Sequence, residues 1–286
     1  MILSFHPCFE ADEQIILGNR LPAEEELRLI GKAKAVILPQ GRPVEQLHEA
    51  CLSSGALLFP DYRLRFKYPG KMGQSLLFRS LGLPYPETRR WLTLEELTNA
   101  CDRFERLPHE LPFMIKADRG HEAEGVYLVE DRDSLINALE QLAHKQGTGQ
   151  SGFITQAYVP SNGNVLRAVI IGKRIITYWK RPALAGQVIT SISKGAIIDH
   201  HWRPDLQEKG KRQAIELSKK TGVNLAAVDF VFPFGAEDPE PLFLEINYYF
   251  ARRGLGGNER YYRLVFQAIQ EWLAEKGLNP RRVRLV

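Results

Sequence analysis

The N-terminal fifth of the chain alternates short apolar runs with amphipathic segments. The apolar runs, at residues 1–5, 35–39 and 56–60, are short enough for buried strands, and turn residues such as Pro39 and Gly41 follow them. Pro22, followed closely by the acids Glu24 and Glu25, favours a helix start between the first two strands. A second helix is predicted over residues 43–53. Alternating strands and helices indicate a parallel sheet with helical crossovers.

The rest of the chain has the pattern of an α+β protein with several hairpins. Strands are predicted over residues 111–116, 126–129, 153–159, 166–171, 174–181, 227–231 and 242–247. Helices are predicted over residues 72–81, 93–106, 133–145, 206–221 and 260–276. Thr93 and Glu96 form a capping-box pattern, and Gly222 closes the fourth of these helices.

Composition and charge narrow the class of protein. The chain has 286 residues, of which 44% are hydrophobic and 25% charged, which suits two or three small globular domains. The net charge of +4 and one basic-aromatic run at residues 63–68 do not indicate a nucleic-acid binder. Cys8, Cys51 and Cys101 are scattered, which argues against a disulfide framework or a zinc site and fits a reducing cytoplasm. We predict neither a signal peptide nor a membrane helix.

Two apolar strands joined by a turn carry polar side chains that can meet. Glu245 and Asn247 lie two residues apart and therefore point to the same face of their strand. If that strand pairs with the preceding one, Asp229 comes beside them. Two carboxylates and an amide are oxygen ligands that suit Mg²⁺ bound together with phosphates. The alternative is an edge hairpin whose polar residues face water.

Several cations lie at the ends of other predicted strands. Lys116 ends a strand and precedes a loop bracketed by Gly120 and Gly125, an arrangement that can hold a phosphate. The alternative is a plain hairpin with an exposed lysine. Arg167, Lys180 and Arg181 lie on two strands joined by a Gly172–Lys173 turn. They are either solvated edge residues or clamps for an anion.

The order of these features resembles the ATP-grasp superfamily. The set runs from Lys71 through Lys116, residues 156–159, Arg167 and Asp229 to residues 245–247, and the resemblance covers residues 71–268. It is closest to the branch of glutathione synthetases and of ligases that add glutamate to a ribosomal-protein tail. The resemblance implies an α/β (α+β) ATP-grasp fold in four parts: an N-terminal parallel α/β domain (1–70), a helical linker (71–110), a small subdomain with the phosphate loop and adenine linker (111–180), and a C-terminal subdomain (181–286).

The resemblance also implies roles for individual residues. The implied nucleotide-binding residues are Lys71, Lys116, Gly120, Gly125, Gln156, Ala157, Tyr158, Val159 and Asn164. The implied catalytic cations are Arg167, Arg181 and Lys194, and the implied Mg²⁺ (or Mn²⁺) ligands are Asp229, Glu245 and Asn247. The loop that contains Arg252, Arg253 and Gly254 lies where relatives bind the acceptor. Gln156 stands where relatives often have Glu.

The activity implied by the resemblance is ATP-dependent joining of a carboxylate to an amine through an acyl phosphate, with release of ADP and phosphate. The partners expected are small carboxylate and amine substrates or a peptide tail, with no nucleic acid and no membrane, in a cytoplasmic homodimer or homotetramer. Two alternatives remain: an ATP-binding protein with a non-catalytic role, and a kinase of the same fold that phosphorylates a hydroxyl.

Overall fold

The computed structural model describes residues 1–18, 20–41, 45–102, 105–120, 124–147, 152–192 and 195–286. Its strands are β1 (Ile2–Ser4), β2 (Phe9–Glu10), β3 (Glu13–Gln14), β4 (Ala35–Ile37), β5 (Leu57–Phe59), β6 (Thr88–Trp91), β7 (Phe113–Ala117), β8 (Val126–Val129), β9 (Phe153–Ala157), β10 (Val165–Ile171), β11 (Arg174–Arg181), β12 (Ile197–Asp199), β13 (Leu225–Val231), β14 (Leu242–Asn247) and β15 (Arg284–Leu285). Its α-helices are α1 (Glu24–Lys32), α2 (Glu45–Ser53), α3 (Arg63–Lys67), α4 (Gly70–Ser80), α5 (Leu94–Ala100), α6 (Arg132–Gly147), α7 (Pro204–Thr221) and α8 (Gly257–Glu275). No helix in the described ranges is long and apolar enough to cross a bilayer.

The N-terminal unit contains the parallel sheet that the sequence predicts. Its strand order is β3-β1-β4-β5, and the strands pair in parallel. The carboxyl ends of β1, β4 and β5 therefore lie along one edge of the sheet. The start of α1 is held by the Glu26 carboxylate, which accepts a hydrogen bond from the Ala23 N–H at 2.7 Å. The antiparallel pair β2-β15 attaches the end of the chain to this unit.

The second sheet is antiparallel, in the order β6-β9-β7-β8. It has a core of its own, in which Phe113, Ile115 and Phe153 pack against Leu97 of α5 and Leu142 of α6. The helix α5 is capped as predicted, because Thr93 Oγ1 accepts from the Glu96 N–H at 3.1 Å.

The third sheet is also antiparallel, in the order β12-β11-β10-β13-β14. One face packs on α7 through residues such as Leu217, and the other packs on α8 through residues such as Ile269. The same two cores include Val36 and Ile37 of the N-terminal sheet. The N-terminal unit and the third sheet therefore form one continuous packed body, and the second sheet has a separate core.

Strand pairing differs from the predicted domain bounds in two places. The strand β6 lies inside the predicted helical linker but belongs to the second sheet. The strands β10 and β11 are predicted to belong to the small subdomain. In the structure they pair with each other, and β10 also pairs with β13, so both belong to the third sheet. The helix α5 also ends at Ala100 rather than near residue 106, and the basic-aromatic run folds as α3. Alternation predicts that a strand exists, but it does not encode which strand will be its partner.

Candidate functional site

A row of charged side chains crosses one face of the third sheet. The register pairs Arg167 with Asp229, and Asp229 with Glu245, on three neighbouring strands. Asn247 follows Glu245 on the same face, and its Nδ2 donates to Glu245 Oε1 at 2.9 Å. Lys180 of β11 completes the row, with its Nζ 2.8 Å from Asp229 Oδ2. The predicted meeting of Asp229, Glu245 and Asn247 is thus present in the structure.

Asp229 is the buried centre of this row. Arg167 Nε donates to Asp229 Oδ1 at 2.7 Å and Arg167 Nη2 donates to Oδ2 at 2.8 Å. Burial by itself would raise the pKa of Asp229, but Arg167 and Lys180 together outweigh burial and hold that pKa well below its usual range. The Asp229 carboxylate therefore stays charged and fixes both cations beside it.

Lys116 faces this row from the second sheet. Its Nζ donates to Gln156 Oε1 at 2.6 Å, and its side chain is buried. Burial lowers the pKa of Lys116 to about 8; the positive charge of Lys71 adds to this effect, and the negative charge of Glu245 opposes it. Lys116, Lys71 and Glu245 are thus close enough to affect one another, so the site lies between the second and third sheets.

Two residues that the sequence did not single out hold Lys71 in position. Asp118, at the end of β7, caps α4: its Oδ1 accepts from the Met72 N–H at 2.7 Å. Gln74 joins α4 to β14, because its Nε2 donates to the Ile246 carbonyl and its Oε1 accepts from the Ile246 N–H, both at 2.8 Å. Gln74 and Ile246 are 172 positions apart, and no periodicity or motif connects them.

The structure does not bring Arg181 to the charged row. Side chains alternate along β11, so Arg181 lies on the face opposite to that of its neighbour Lys180. There its Nη1 donates to Asp199 Oδ2 at 2.9 Å and its guanidinium stacks on the Trp202 ring at 4.6 Å. The role predicted for Arg181 is corrected accordingly, because Lys180 is the cation of β11 that reaches Asp229.

The predicted adenine linker, residues 156–159, begins in the last two residues of β9. Gln156 lies between Lys116 and Thr88, and its Nε2 donates to Thr88 Oγ1 at 2.9 Å. The N–H of Ala157 donates to the Glu87 carbonyl at 2.9 Å, so this N–H is not available to a base. Within the described parts of the chain, the Val159 N–H has no hydrogen-bond acceptor. Tyr158 is partly exposed in the same segment.

Other predicted nucleotide-binding residues have different surroundings. The Asn164 Nδ2 donates to the carbonyls of Ser161 and Asn162 at 3.0 and 3.1 Å, so this amide closes its own turn. Gly120 and Gly125 flank residues 121–123, which lie outside the described residues, as does Lys194. The Gly125 carbonyl accepts from the Ala117 N–H at 2.8 Å, which closes the loop at its base.

The predicted acceptor loop lies over the same face of the third sheet. Gly254 packs directly on the Tyr178 ring, and any side chain at this position would collide with that ring. Arg252 and Arg253 line an open cleft of about 670 Å³ at the start of α8. The Arg252 guanidinium stacks on the ring of Tyr261 at 4.8 Å, whereas Arg253 is exposed.

Comparison with known protein families gives a match over most of the chain. Residues 74–267, which include Lys116, Arg167, Asp229 and Glu245, match the RimK-like ATP-grasp domain. The chain belongs to the RimK-like ATP-grasp family. The ATP-grasp family uses ATP, and the predicted superfamily and fold are confirmed.

Individual relatives extend this assignment. The chain is similar to human beta-citrylglutamate synthase B, with 26% identity over 151 residues, covering 52% of this chain and 36% of that protein. It is also similar to a probable alpha-L-glutamate ligase of Pectobacterium carotovorum, with 29% identity over 153 residues, covering 52% of this chain and 45% of the relative. This RimK-like ATP-grasp chain thus spans less than half the length of these relatives.

A solved structure matches over a longer range. The RimK domain ATP-grasp protein of Sphaerobacter thermophilus aligns with a TM-score of 0.57 and 16% identity, covering 92% of this chain and 97% of that one. At this identity the match shows a shared ATP-grasp fold, which includes the N-terminal unit.

Proposed function

We propose that this chain is an ATP-dependent carboxylate–amine ligase that acts through an acyl phosphate. The observation that carries the proposal is the charged row on the third sheet together with the two lysines that lie close to it. Lys71, Lys116, Arg167 and Lys180 face two carboxylates, Asp229 and Glu245. When all are ionised, two positive charges are left uncompensated, which suits the net negative charge of magnesium-bound ATP.

The oxygen atoms of the row fit a magnesium ion. Glu245 and Asn247 are partly accessible, and Glu245 is joined to Asn247 through one of its two carboxylate oxygens. Among the described residues, Asp229 Oδ1 accepts one hydrogen bond, from Arg167, and so keeps a lone pair. One or two carboxylates plus phosphate oxygens are what Mg²⁺ prefers. We assign Glu245, Asn247 and Asp229 as its ligands. The ion would supply neutralisation of charge on the transferring phosphoryl group.

The protein's own residues act by position and charge. A substrate carboxylate oxygen attacks the γ-phosphorus, the bond from that phosphorus to the β-phosphate oxygen breaks, and ADP leaves. An amine then attacks the acyl carbon, releasing phosphate and a proton and forming the amide. Lys116 and Lys71 neutralise the phosphates, and Arg167 and Lys180 stabilise the transferring group, because preorganised charge is effective in a buried site.

The cleft at Arg252 and Arg253 is assigned to the acceptor. It adjoins Gly254, which packs on Tyr178 of the third sheet, and it opens to solvent, so a small amine or a peptide tail can enter. The names of the relatives, a beta-citrylglutamate synthase and a probable glutamate ligase, support small carboxylate and amine substrates. The cytoplasmic location and the homo-oligomer predicted from the sequence stay predictions.

The test is ADP release from Mg-ATP with a panel of acids paired with amino acids or short peptides. Wild-type protein should release ADP only with particular acid and amine pairs and should form an equal amount of amide. Glu245→Gln, which removes one carboxylate without changing shape, should reduce turnover at least 100-fold. Glu240→Gln, on the exposed turn before β14 where Glu240 pairs with Lys209, is the matched control. Full magnesium-dependent turnover in Glu245→Gln would remove the metal assignment, and ADP release without amide formation would favour a kinase.

A further inference from the structure

Tyr178, on β11, is a fully buried tyrosine whose hydroxyl makes no hydrogen bond within the described parts of the chain. Two other tyrosines are buried as completely, and both of their hydroxyls have partners. Tyr62 donates to the Pro39 carbonyl at 3.0 Å, and Tyr261 donates to Gln40 Oε1. A buried hydroxyl without an acceptor carries the cost of its lost hydration. A polar atom that stays unpaired at this cost points to a role in binding or catalysis.

Tyr178 lies in the same cross-strand line as the charged row. The register pairs Tyr178 with Arg167 on β10. Arg167 is paired in turn with Asp229, and Asp229 with Glu245. Because directly opposed residues of antiparallel strands share a face, Tyr178 extends this line onto β11. Burial raises the pKa of Tyr178 and outweighs the nearby positive charge of Arg167, which lowers it. The phenol is therefore neutral at ordinary pH and can donate a hydrogen bond.

The acceptor loop covers the hydroxyl end of the Tyr178 ring. A Cβ atom added to Gly254 would collide with Cζ, Cε1 and Cε2 of that ring, and Cζ is the carbon that bears the hydroxyl. Because glycine has no such atom, the loop backbone lies directly on this part of the ring. The two preceding residues, Arg252 and Arg253, line the cleft assigned to the acceptor. Tyr178 thus lies between the charged row and the acceptor loop.

The second step of the proposed reaction needs a hydrogen-bond donor where the two substrates meet. When the amine attacks the acyl phosphate, the acyl oxygen takes on negative charge before the bond from the acyl carbon to the phosphate oxygen breaks. The proton that the amine loses leaves with the phosphate, as hydrogen phosphate. Arg167 and Lys180 are bonded to Asp229 and assigned to the transferring phosphoryl group. A buried, neutral donor such as a phenol is suited to the acyl oxygen.

We propose that the Tyr178 hydroxyl donates a hydrogen bond to the acyl oxygen of the acyl phosphate while the amine attacks, and is thereby a catalytic residue for amide formation. The inference rests on the proposed ligase function and adds a residue to its second step. Tyr178 has no part in ATP binding or in phosphoryl transfer, so the loss of its hydroxyl slows the second step alone.

The experiment follows the two steps separately in Tyr178→Phe, which removes the hydroxyl and keeps the ring. Rapid chemical quench of a single turnover measures ADP and amide in the same samples, with Mg-ATP and an acid and amine pair that wild-type protein accepts. In wild-type protein ADP and amide should appear together. In Tyr178→Phe, ADP should form at the wild-type rate and amide about 100-fold more slowly, as when other enzymes lose one oxyanion donor. Tyr85→Phe, whose half-buried ring packs on Phe78 of α4, is the matched control and should change neither rate.

Thermal unfolding and calorimetry separate this catalytic role from a structural one. Tyr178→Phe should melt at the same temperature as wild type or higher, because the substitution removes an unpaired buried hydroxyl. Its affinity for Mg-ATP should be unchanged. Equal slowing of ADP and amide, amide formation at the wild-type rate, or a lower melting temperature with weaker ATP binding would each overturn the inference and leave the ligase reaction standing. Absence of amide from wild-type protein with every acid and amine pair would instead overturn the proposed function.

Discussion

Asp229 is the residue at the centre of the charged site. Its carboxylate is fully buried, and Arg167 and Lys180 donate to both of its oxygens. Because two cations contact one carboxylate, these three side chains together carry a net positive charge, which can attract a phosphate. The same geometry makes Asp229 essential for stability, since its loss leaves two buried cations without their counter-ion.

We therefore expect Asp229→Asn to lower the free energy of unfolding by about 3–5 kcal/mol, as for other broken buried ion pairs. The pKa of Asp229 is lowered in the folded protein. Its contribution to stability should therefore be complete above the unfolded pKa of about 3.9 and be lost as the pH falls below it. Urea unfolding at several pH values from 7 down to 3 measures both effects. The stability gap between the variant and wild type should narrow with acid, and a gap independent of pH would contradict this account. Asp238→Asn, on the surface, serves as the control.

Lys116 gives a second prediction at the same scale. Burial lowers its pKa to about 8 in the free protein, and an ATP phosphate favours the protonated form. Affinity for Mg-ATP should therefore be constant below about pH 8 and fall above it. The fall should reach about tenfold per pH unit, because above this pH Lys116 must take up one proton when the nucleotide binds. Calorimetry between pH 6.5 and 9.5 measures the curve. In Lys116→Met the affinity should be lower throughout, and this fall should disappear. A wild-type curve that matches the variant's would show that Lys116 does not contact the nucleotide.

At the scale of elements, the helix α4 joins parts of the site that are far apart in the chain. Gln74 bonds both polar groups of the Ile246 backbone, between Glu245 and Asn247, in the way a neighbouring strand would. Asp118 caps the same helix from the end of β7, and the space taken by its carboxylate leaves no room for a side chain at Gly70. Lys71 is thereby held to both sheets at once.

Gln74→Met keeps the size of the side chain and removes both bonds to Ile246. We expect a loss of about 1–3 kcal/mol in unfolding free energy, because the N–H and C=O of Ile246 lose their partners. Because Lys71 is no longer fixed beside Glu245, the KM for ATP should rise as well. Steady-state kinetics with denaturant unfolding measures both, and Arg79→Met, on the exposed side of α4, is the control. A variant that is less stable but has an unchanged KM would limit Gln74 to a structural role.

The sequence predicts the elements better than it predicts their neighbours. Alternation correctly places Glu245 and Asn247 on one face of their strand. It also places Asp229 beside them on the neighbouring strand, because a hairpin is a local structure. The same alternation puts Lys180 and Arg181 on opposite faces, but only the cross-strand register shows which of them meets Asp229. The bond between Gln74 and Ile246 depends on the packing of distant segments, so no local pattern could have predicted it.

At the scale of the whole molecule, the site lies between two bodies with separate cores. The N-terminal unit and the third sheet share their cores, and the second sheet packs on its own helices α5 and α6. Residues from both bodies contribute to the charged site, with Lys116 on one side and Glu245 on the other. A nucleotide bound between them therefore adds contacts that link the two bodies.

Binding of Mg-ATP should consequently slow amide hydrogen exchange throughout the second sheet, and not only in residues that touch the nucleotide. A separate core can open without unfolding the larger body, and a ligand that bridges both bodies raises the free energy of that opening. Hydrogen exchange followed by mass spectrometry, with and without Mg-ATP, measures this for peptides from β7, β9 and α6. Lys116→Met should abolish most of the added protection at the same nucleotide concentration. Protection confined to the linker after β9 would mean that the nucleotide binds to the second sheet alone and does not bridge to Glu245.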